Sequence, residues 1–384
     1  MKKTADIAII GGGIIGVSIA YYLGKMGAKN VLLFEKDLIG MGSTGLCAGG
    51  IRRQWSTEVN MHFALKAFGI FQNFEQEFEV SPEFHQIGYL FLARDEEELE
   101  IFKKNIALQN RFGVPSKLLT REEVEKEWPF LNIEDVLGGA FCHTDGYAGP
   151  SEVTNAIAKG ARGYGVKIFE KTEVIKIEVA GSRIVSVTTR EGRVETHTVV
   201  NAAGPYAANV GRLAGVEIPV NPIRRQLFVT DPFHEIPPSV PLTIDHNQNF
   251  YFRREGDCVL LSGPQDEKPS FNLSTDFDAM VVTAEKATYR VPVFEKTNIA
   301  RGWAGLYEIS PDNHAILGKV PEVDGLILAV GFSGHGFQHG PAAGMAIAEL
   351  ICNGKSETID ITPLALTRFK EGKTVKESLT AFKD

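Results

Sequence analysis

Three glycines, Gly11, Gly13 and Gly16, stand in the spacing G-x-G-x-x-G, and an acidic residue, Glu35, follows nineteen positions after the last of them. Asp6 to Ile10 ahead of the glycines reads as a buried strand, and Ile14 to Met26 behind them carries Ile15, Ile19, Tyr22 and Leu23 at helical spacing. With Val31 to Glu35 as the next strand, the pattern predicts a βαβ unit whose first turn is the glycine run. The chemistry such a turn performs is pyrophosphate binding. Glycine lets the chain turn tightly, lets backbone amides approach phosphate and lets the helix pack close to the strand. The helix N-terminus then faces the phosphates with positive potential, and Glu35 can accept hydrogen bonds from ribose hydroxyls. This predicts a dinucleotide site without distinguishing nicotinamide from flavin.

A second glycine-rich stretch, Gly331 to Gly340, reads GFSGHGFQHG; it follows the apolar run Gly325 to Val330 and precedes a helix predicted over Pro341 to Cys352. Gly331, Gly334 and Gly336 free the backbone for a close approach to a ligand, and that helix would aim its positive end at it.

These motifs need elements to hold them, and the chain has room for two domains at 384 residues. Its 43% hydrophobic and 23% charged residues exclude disordered and fibrous classes. Forty basic against forty-eight acidic residues give a net charge of −8 with no basic block, which excludes a nucleic-acid partner. Cys47, Cys142, Cys258 and Cys352 lie far apart with no C-x-x-C pair, so no metal site is predicted. A reducing, cytoplasmic compartment is expected, and no run is long and apolar enough to span a bilayer.

Further along, Met61 to Phe78 reads as one helix with an aromatic stripe of core residues, Phe63, Phe68, Phe71, Phe74 and Phe78. The acidic run Asp95 to Glu98 reads as a solvated helix face, and Thr120 with Glu123 as a capping box. Pro150 to Tyr164 is predicted as a helix, Val166 to Ile168 as a strand and Glu173 to Val187 as a hairpin. From Pro219 to Pro241 proline-rich strand and loop alternate, and strand-like Asn249 to Arg253 and Val259 to Leu261 follow. His143 and His246, with no local partner, read as structural or exposed. The predicted fold class is α/β: a doubly wound, Rossmann-type dinucleotide domain from 1–80, 150–218 and 310–384, with a second α+β domain on a mostly antiparallel sheet from 81–149 and 219–309.

After Glu35 come Lys36, then Gly42-Ser43-Thr44-Gly45 and Gly49-Gly50-Ile51-Arg52-Arg53-Gln54; Thr198 to Tyr206 reads TVVNAAGPY, and Ile359-Asp360 and Arg368-Phe369 close the chain. With Glu173-Val174 and the Gly331 to Gly340 loop, these segments resemble the D-amino-acid-oxidase-like (DAO) FAD-dependent oxidoreductases. The likeness is nearest to sarcosine oxidase and proline dehydrogenase β-subunits and to glycine oxidase. It implies FAD, held by Gly11, Gly13, Ile14, Ile15, Gly16, Glu35, Lys36, Ser43, Thr44, Gly49, Gly50, Val174, Ala203, Gly204, Gly331, Gly334, His335, Gly336, Phe337 and Gln338. It also implies Arg52 as the anchor of a substrate carboxylate, with Arg53 the alternative, Tyr251 and Tyr307 in the pocket, Gln338 at the family's second carboxylate-binding position, and His335 beside the ring as a proton-relay candidate.

Departures from the family pattern carry expectations of their own. The family's flavin-linking cysteine falls near Gly305, so FAD is expected to be non-covalent. Two family lysines fall near Leu261 and at Gln338; their loss removes positive charge from the pocket and favours an electron acceptor other than oxygen. The activity implied is oxidation of the C–N bond of a small sarcosine-, glycine- or proline-like amino acid. The alternatives are a 2-hydroxy acid or glycerol-phosphate dehydrogenase, and an assembly subunit with structural FAD. Partner subunits of a dehydrogenase complex, an electron-transfer acceptor and a homo-oligomer are the expected partners.

Overall fold

The computed structural model describes residues 3–266 and 268–378. Strands covered on both faces must be apolar at every position, and Ile7–Ile10 and Val31–Phe34 are buried throughout. They form the centre of a six-stranded sheet in the order Ile316–Lys319, Leu326–Val330, Val199–Asn201, Ile7–Ile10, Val31–Phe34, Lys167–Phe169. All neighbours are parallel except the edge strand Ile316–Lys319. The fold is therefore doubly wound, gathered from chain segments more than 150 residues apart.

Helices Ile14–Lys25 and Gly336–Asn353 each follow a parallel strand, so both begin at the carboxyl edge of the sheet, where ligands bind in such folds. Small residues let them touch: a Cβ on Gly344 would stand 2.4 Å from Cβ of Ser18, and one on Gly340 2.8 Å from Ile14. The second sheet has eight strands in the order Ile299–Ile309, Asn221–Thr230, Cys258–Gln265, Phe250–Glu255, Leu242–Asp245, Tyr89–Ala93, Gly138–Cys142, Lys117–Thr120. It is antiparallel except where Leu242–Asp245 meets Tyr89–Ala93. A third, three-stranded sheet of Val174–Ala180, Arg183–Thr189 and Gly192–Glu195 extends the expected hairpin by one strand.

Several local expectations are corrected. The helix predicted over Met61 to Phe78 is two helices, Glu58–Gln72 and Phe74–Phe78, because Asn73 leaves helical geometry and its side-chain amide takes the carbonyl of Gly69 at 2.8 Å. The phenylalanine stripe is buried core. Within the acidic run Asp95, Glu96 and Glu97 are solvent-exposed as expected, and only Glu98 turns inward. Asp95 caps the helix Glu96–Arg111 by accepting from the Glu98 amide at 2.8 Å, while the Glu98 carboxylate is buried and accepts from Asn247 at 2.9 Å. His246 lies 3.3 Å from that carboxylate, a partner 148 residues away. Finally, the last long helix starts at Gly336 and runs through Pro341. A proline near a helix start forfeits only one amide hydrogen bond, and close packing on Ile14 holds the turn.

Candidate cofactor and substrate site

A cavity of about 930 Å³ lies between the two large sheets, at the upper end of the range for ligand pockets. At one end it meets the glycine turn. Gly11 has φ +112°, and a Cβ there would stand 2.2 Å from the carbonyl of Ala202; one on Gly16 would stand 1.9 Å from the Gly11 carbonyl. Gly16 thus serves packing and does not line the cavity, whereas Gly11, Gly13, Ile14 and Ile15 do. The Glu35 carboxylate accepts from the Gly12 amide at 2.6 Å and the Asp37 amide at 2.7 Å, which fixes it at the cavity wall. Thr44 accepts from the Ile14 amide at 3.1 Å, and Ser43 donates to the Leu306 carbonyl at 2.6 Å, tying the following loop across both domains. The Lys36 ammonium sits 3.4 Å from the ring centre of Tyr206. Gly49, Gly50, Ala203 and Gly204 complete this end.

The middle of the cavity is bounded by the second glycine loop. Gly331, Ser333 and Gly334 all have left-handed backbone, and a Cβ on Gly334 would stand 2.6 Å from the Tyr307 ring, so only glycine fits. Gly331 itself does not line the cavity; its amide donates at 3.0 Å to the buried carboxyl of Glu308. Burial raises that carboxyl to about 7 against the hydrogen bonds it accepts from Gly331 and Phe332. Because the long helix begins at Gly336 and not at Pro341, Gly336, Phe337 and Gln338 line the cavity and bring the positive helix end directly to it.

Arg52, Trp55, Tyr89, Tyr251, Tyr307 and His335 form the remaining end. The Arg52 guanidinium is buried, stacks 3.6 Å from the ring centre of Trp55 and donates to the Gln54 carbonyl. Among the described residues no carboxylate forms an ion pair with it. Its backbone amide donates at 2.9 Å to Oε1 of Gln338, so Gln338 positions the strand that carries Arg52. Arg53 turns away: its Nε donates at 3.0 Å to the fully buried carboxylate of Asp145, and its guanidinium lies 3.6 Å from the ring centre of Phe68. It is thus a buried structural ion pair, and neither a surface charge nor a cavity residue.

Burial raises the phenols of Tyr251 and Tyr307, which also act on one another, so both hold their protons. Burial likewise lowers His335 well below the usual imidazole range and keeps it neutral. Its ring lies 5.0 Å from those of Trp55 and His339. Among the lining residues that the sequence reading did not name are Trp55, Tyr89, Arg225, Glu308 and Glu377. Arg225 had a signal: the polar trio Arg224-Arg225-Gln226 interrupts an otherwise apolar strand, and Arg225 reaches Asn249 at 3.1 Å. Glu377 had none.

Like Gly16 and Gly331, the expected Val174 does not line the cavity, and neither does Leu261, near which a family lysine falls. Val174 is buried in the small third sheet's side of the core, and Leu261 in the core of the second domain. The change at Leu261 therefore removes no charge from the cavity. Gly305 does line it, beside Leu46. Among the described residues no group of His, Cys, Asp and Glu is arranged to hold a metal ion, and no helix is long and apolar enough to cross a membrane.

The chain belongs to the DAO family, described as FAD dependent oxidoreductases, which it matches over residues 6–350. It is an FAD-dependent oxidoreductase, and its glycine cradle, Glu35 and the two helix ends are chemically suited to that dinucleotide. The solved L-proline dehydrogenase of P. horikoshii is 34% identical, with a TM-score of 0.91 over 98% of this chain and 100% of that one. Sarcosine oxidase subunit beta of Rhodobacter capsulatus is 28% identical over 99% of this chain and 92% of its own length. Mouse mitochondrial sarcosine dehydrogenase is 28% identical over 97% of this chain, which spans only 42% of that protein.

Proposed function

We propose that the protein oxidises the C–N bond of a small sarcosine-, glycine- or proline-like amino acid to an imine. One observation carries this reading: the buried Arg52 guanidinium ends the FAD cavity and, among the described residues, forms no ion pair with a carboxylate, Glu377 and Asp145 acting on it only from beyond contact. A buried cation without an anionic partner is costly unless a ligand supplies one, and a guanidinium fork matches a carboxylate in two-point geometry. The bound flavin supplies the hydride acceptor. Arg52 orients the substrate by its carboxylate, and the phenols of Tyr251 and Tyr307 donate hydrogen bonds while closing the pocket to water. Burial keeps the His335 imidazole neutral and poorly basic, so it adds no positive charge beside Arg52, and the substrate amine gives up its proton to solvent before its carbon releases hydride.

The substrate names of the relatives support the same class. Among the described residues Lys36, at the far end beside Glu35, is the one lysine lining the cavity. With the Arg52 and Arg225 cations also lining the cavity, the acceptor is read from the comparison alone: the relative named as a subunit supports partner chains that receive the electrons. Anaerobic titration of the bound flavin with a panel of amino acids and 2-hydroxy acids tests the proposal. Bleaching by small amino acids alone is the expected result. Bleaching by hydroxy acids instead, or by nothing in the panel, would overturn it.

A further inference from the structure

The last described segment, Lys373 to Ser378, does not lie loose on the surface. The Lys373 amide donates to the Arg368 carbonyl at 2.9 Å and the Val375 amide to the Asp312 carboxylate at 3.2 Å. Glu377 then turns inward to the start of the helix Glu58–Gln72. Its carboxylate accepts from the Ser56 amide at 2.9 Å, the Thr57 hydroxyl at 2.6 Å and the Asn60 amide at 2.7 Å. Ser378 continues across the seam, bonding Ser56 at 2.8 Å and Asn105 of the helix Glu96–Arg111 at 2.9 Å. The segment thus ties the start of the helix Glu58–Gln72 to the helix Glu96–Arg111. His314 stands 3.7 Å from the carboxylate.

Burial alone would raise the Glu377 carboxyl; nearby His314 and the hydrogen bonds from Ser56, Thr57 and Asn60 outweigh that and hold it at about 2. It is an anion at every working pH, with both oxygens engaged, and it lines the same end of the cavity as Arg52, Trp55 and His335. The side chain beside it, Trp55, is packed at 5.0 Å between ring centres against both His335 and His339. An apolar aromatic surface is therefore flanked by a desolvated carboxylate that an apolar group cannot approach favourably.

We propose that the C-terminal segment, anchored by Glu377, is a wall of the substrate end and sets the upper size and polarity of the amino acid accepted. The proposal rests on the amino-acid reading above. A short substrate held by Arg52 fits beneath the wall, whereas a long apolar or aromatic side chain would press on the Glu377 carboxylate. Removing the wall exposes the Trp55 and His335 rings, which favour such a side chain.

The test compares the wild-type holoenzyme, a chain ending at Thr374, and Glu377→Ala. Anaerobic flavin reduction is measured with glycine, sarcosine and proline against leucine, phenylalanine and N-benzylglycine, and binding of benzoate against acetate is read from flavin absorbance. In both variants the large-to-small ratio of reduction rates per substrate concentration should rise about tenfold or more, and benzoate should tighten relative to acetate by a similar factor. Ratios within about twofold of wild type would overturn the proposal. So would loss of FAD from both variants, which would make the segment a cofactor clamp. If the truncated chain alone loses FAD, Glu377→Ala decides. A wild-type flavin that no amino acid reduces overturns this inference together with the reading beneath it. Normal reduction by small amino acids with unchanged ratios overturns the inference alone.

Discussion

Replacing Arg52 by alanine tests the substrate site most directly. The guanidinium is buried against Trp55, and a substrate carboxylate bound there would be cut off from water. Without Arg52 that carboxylate is desolvated and unpaired, at a cost of about 2–5 kcal/mol. At 1.4 kcal/mol per factor of ten, the rate of flavin reduction per substrate concentration should fall roughly 30-fold to several thousand-fold. FAD content should barely change, because Gln338 is held by the Arg52 backbone amide, which alanine retains. Arg52→Lys should recover only part of the loss, since an ammonium keeps the charge without the planar fork. The neighbour gives the contrast. Arg53→Ala strands the buried Asp145 carboxylate and should lower thermal stability by about 3–5 kcal/mol, with a smaller effect on the reduction of whatever folded protein remains. Stopped-flow reduction under anaerobic conditions, with flavin content and Tm for each variant, separates these outcomes. A large kinetic defect in Arg53→Ala beside a nearly silent Arg52→Ala would refute the assignment, and indifference to both would refute carboxylate anchoring.

Gly13→Val should abolish FAD binding, because the only atom near a Cβ there is the Thr44 hydroxyl at 3.1 Å and the added methyls would enter the pyrophosphate space; full flavin occupancy after purification would contradict this. Acid or heat should release all FAD, since Gly305 carries no thiol and burial pushes the Cys47 thiol that does line the cavity up to about 11, which keeps it protonated and unreactive; yellow colour retained on the denatured chain would show otherwise. Glu308 titrates at about 7 in the fold, above the ordinary carboxyl range, so the native state holds more protons than the unfolded chain between about pH 4.5 and 7. Its contribution to stability therefore falls as pH rises through that window and stays low above it, by on the order of 3 kcal/mol. The Tm of Glu308→Gln relative to wild type should accordingly rise from pH 5 to pH 8; a flat difference would place the titration elsewhere.

The dinucleotide turn, the doubly wound class and the antiparallel second sheet were legible in the sequence because their determinants are local. A tight turn needs glycine where it occurs, a doubly covered strand must be apolar at each position, and a following helix shows its period within a dozen residues. Tertiary structure decided what local pattern leaves open. Adjacent residues in extended chain face opposite ways, so Arg52 and Arg53 are equivalent in sequence; Asp145, ninety-two residues on, takes Arg53 and leaves Arg52 to the cavity. Glu98 looks like part of a solvated run until His246 and Asn247 bury it. Pro341 looks like a helix start, yet packing against Ile14 carries the helix back to Gly336 and delivers its positive end to the ring site. Glu377 sits in a stretch with no period and no motif, and it becomes a cavity wall only because Ser56, Thr57 and Asn60, more than 300 residues earlier, gather around its charge. Backbone conformation follows from neighbours along the chain; the partner of a buried charge follows from the fold, because a desolvated charge is stable only where distant groups converge on it.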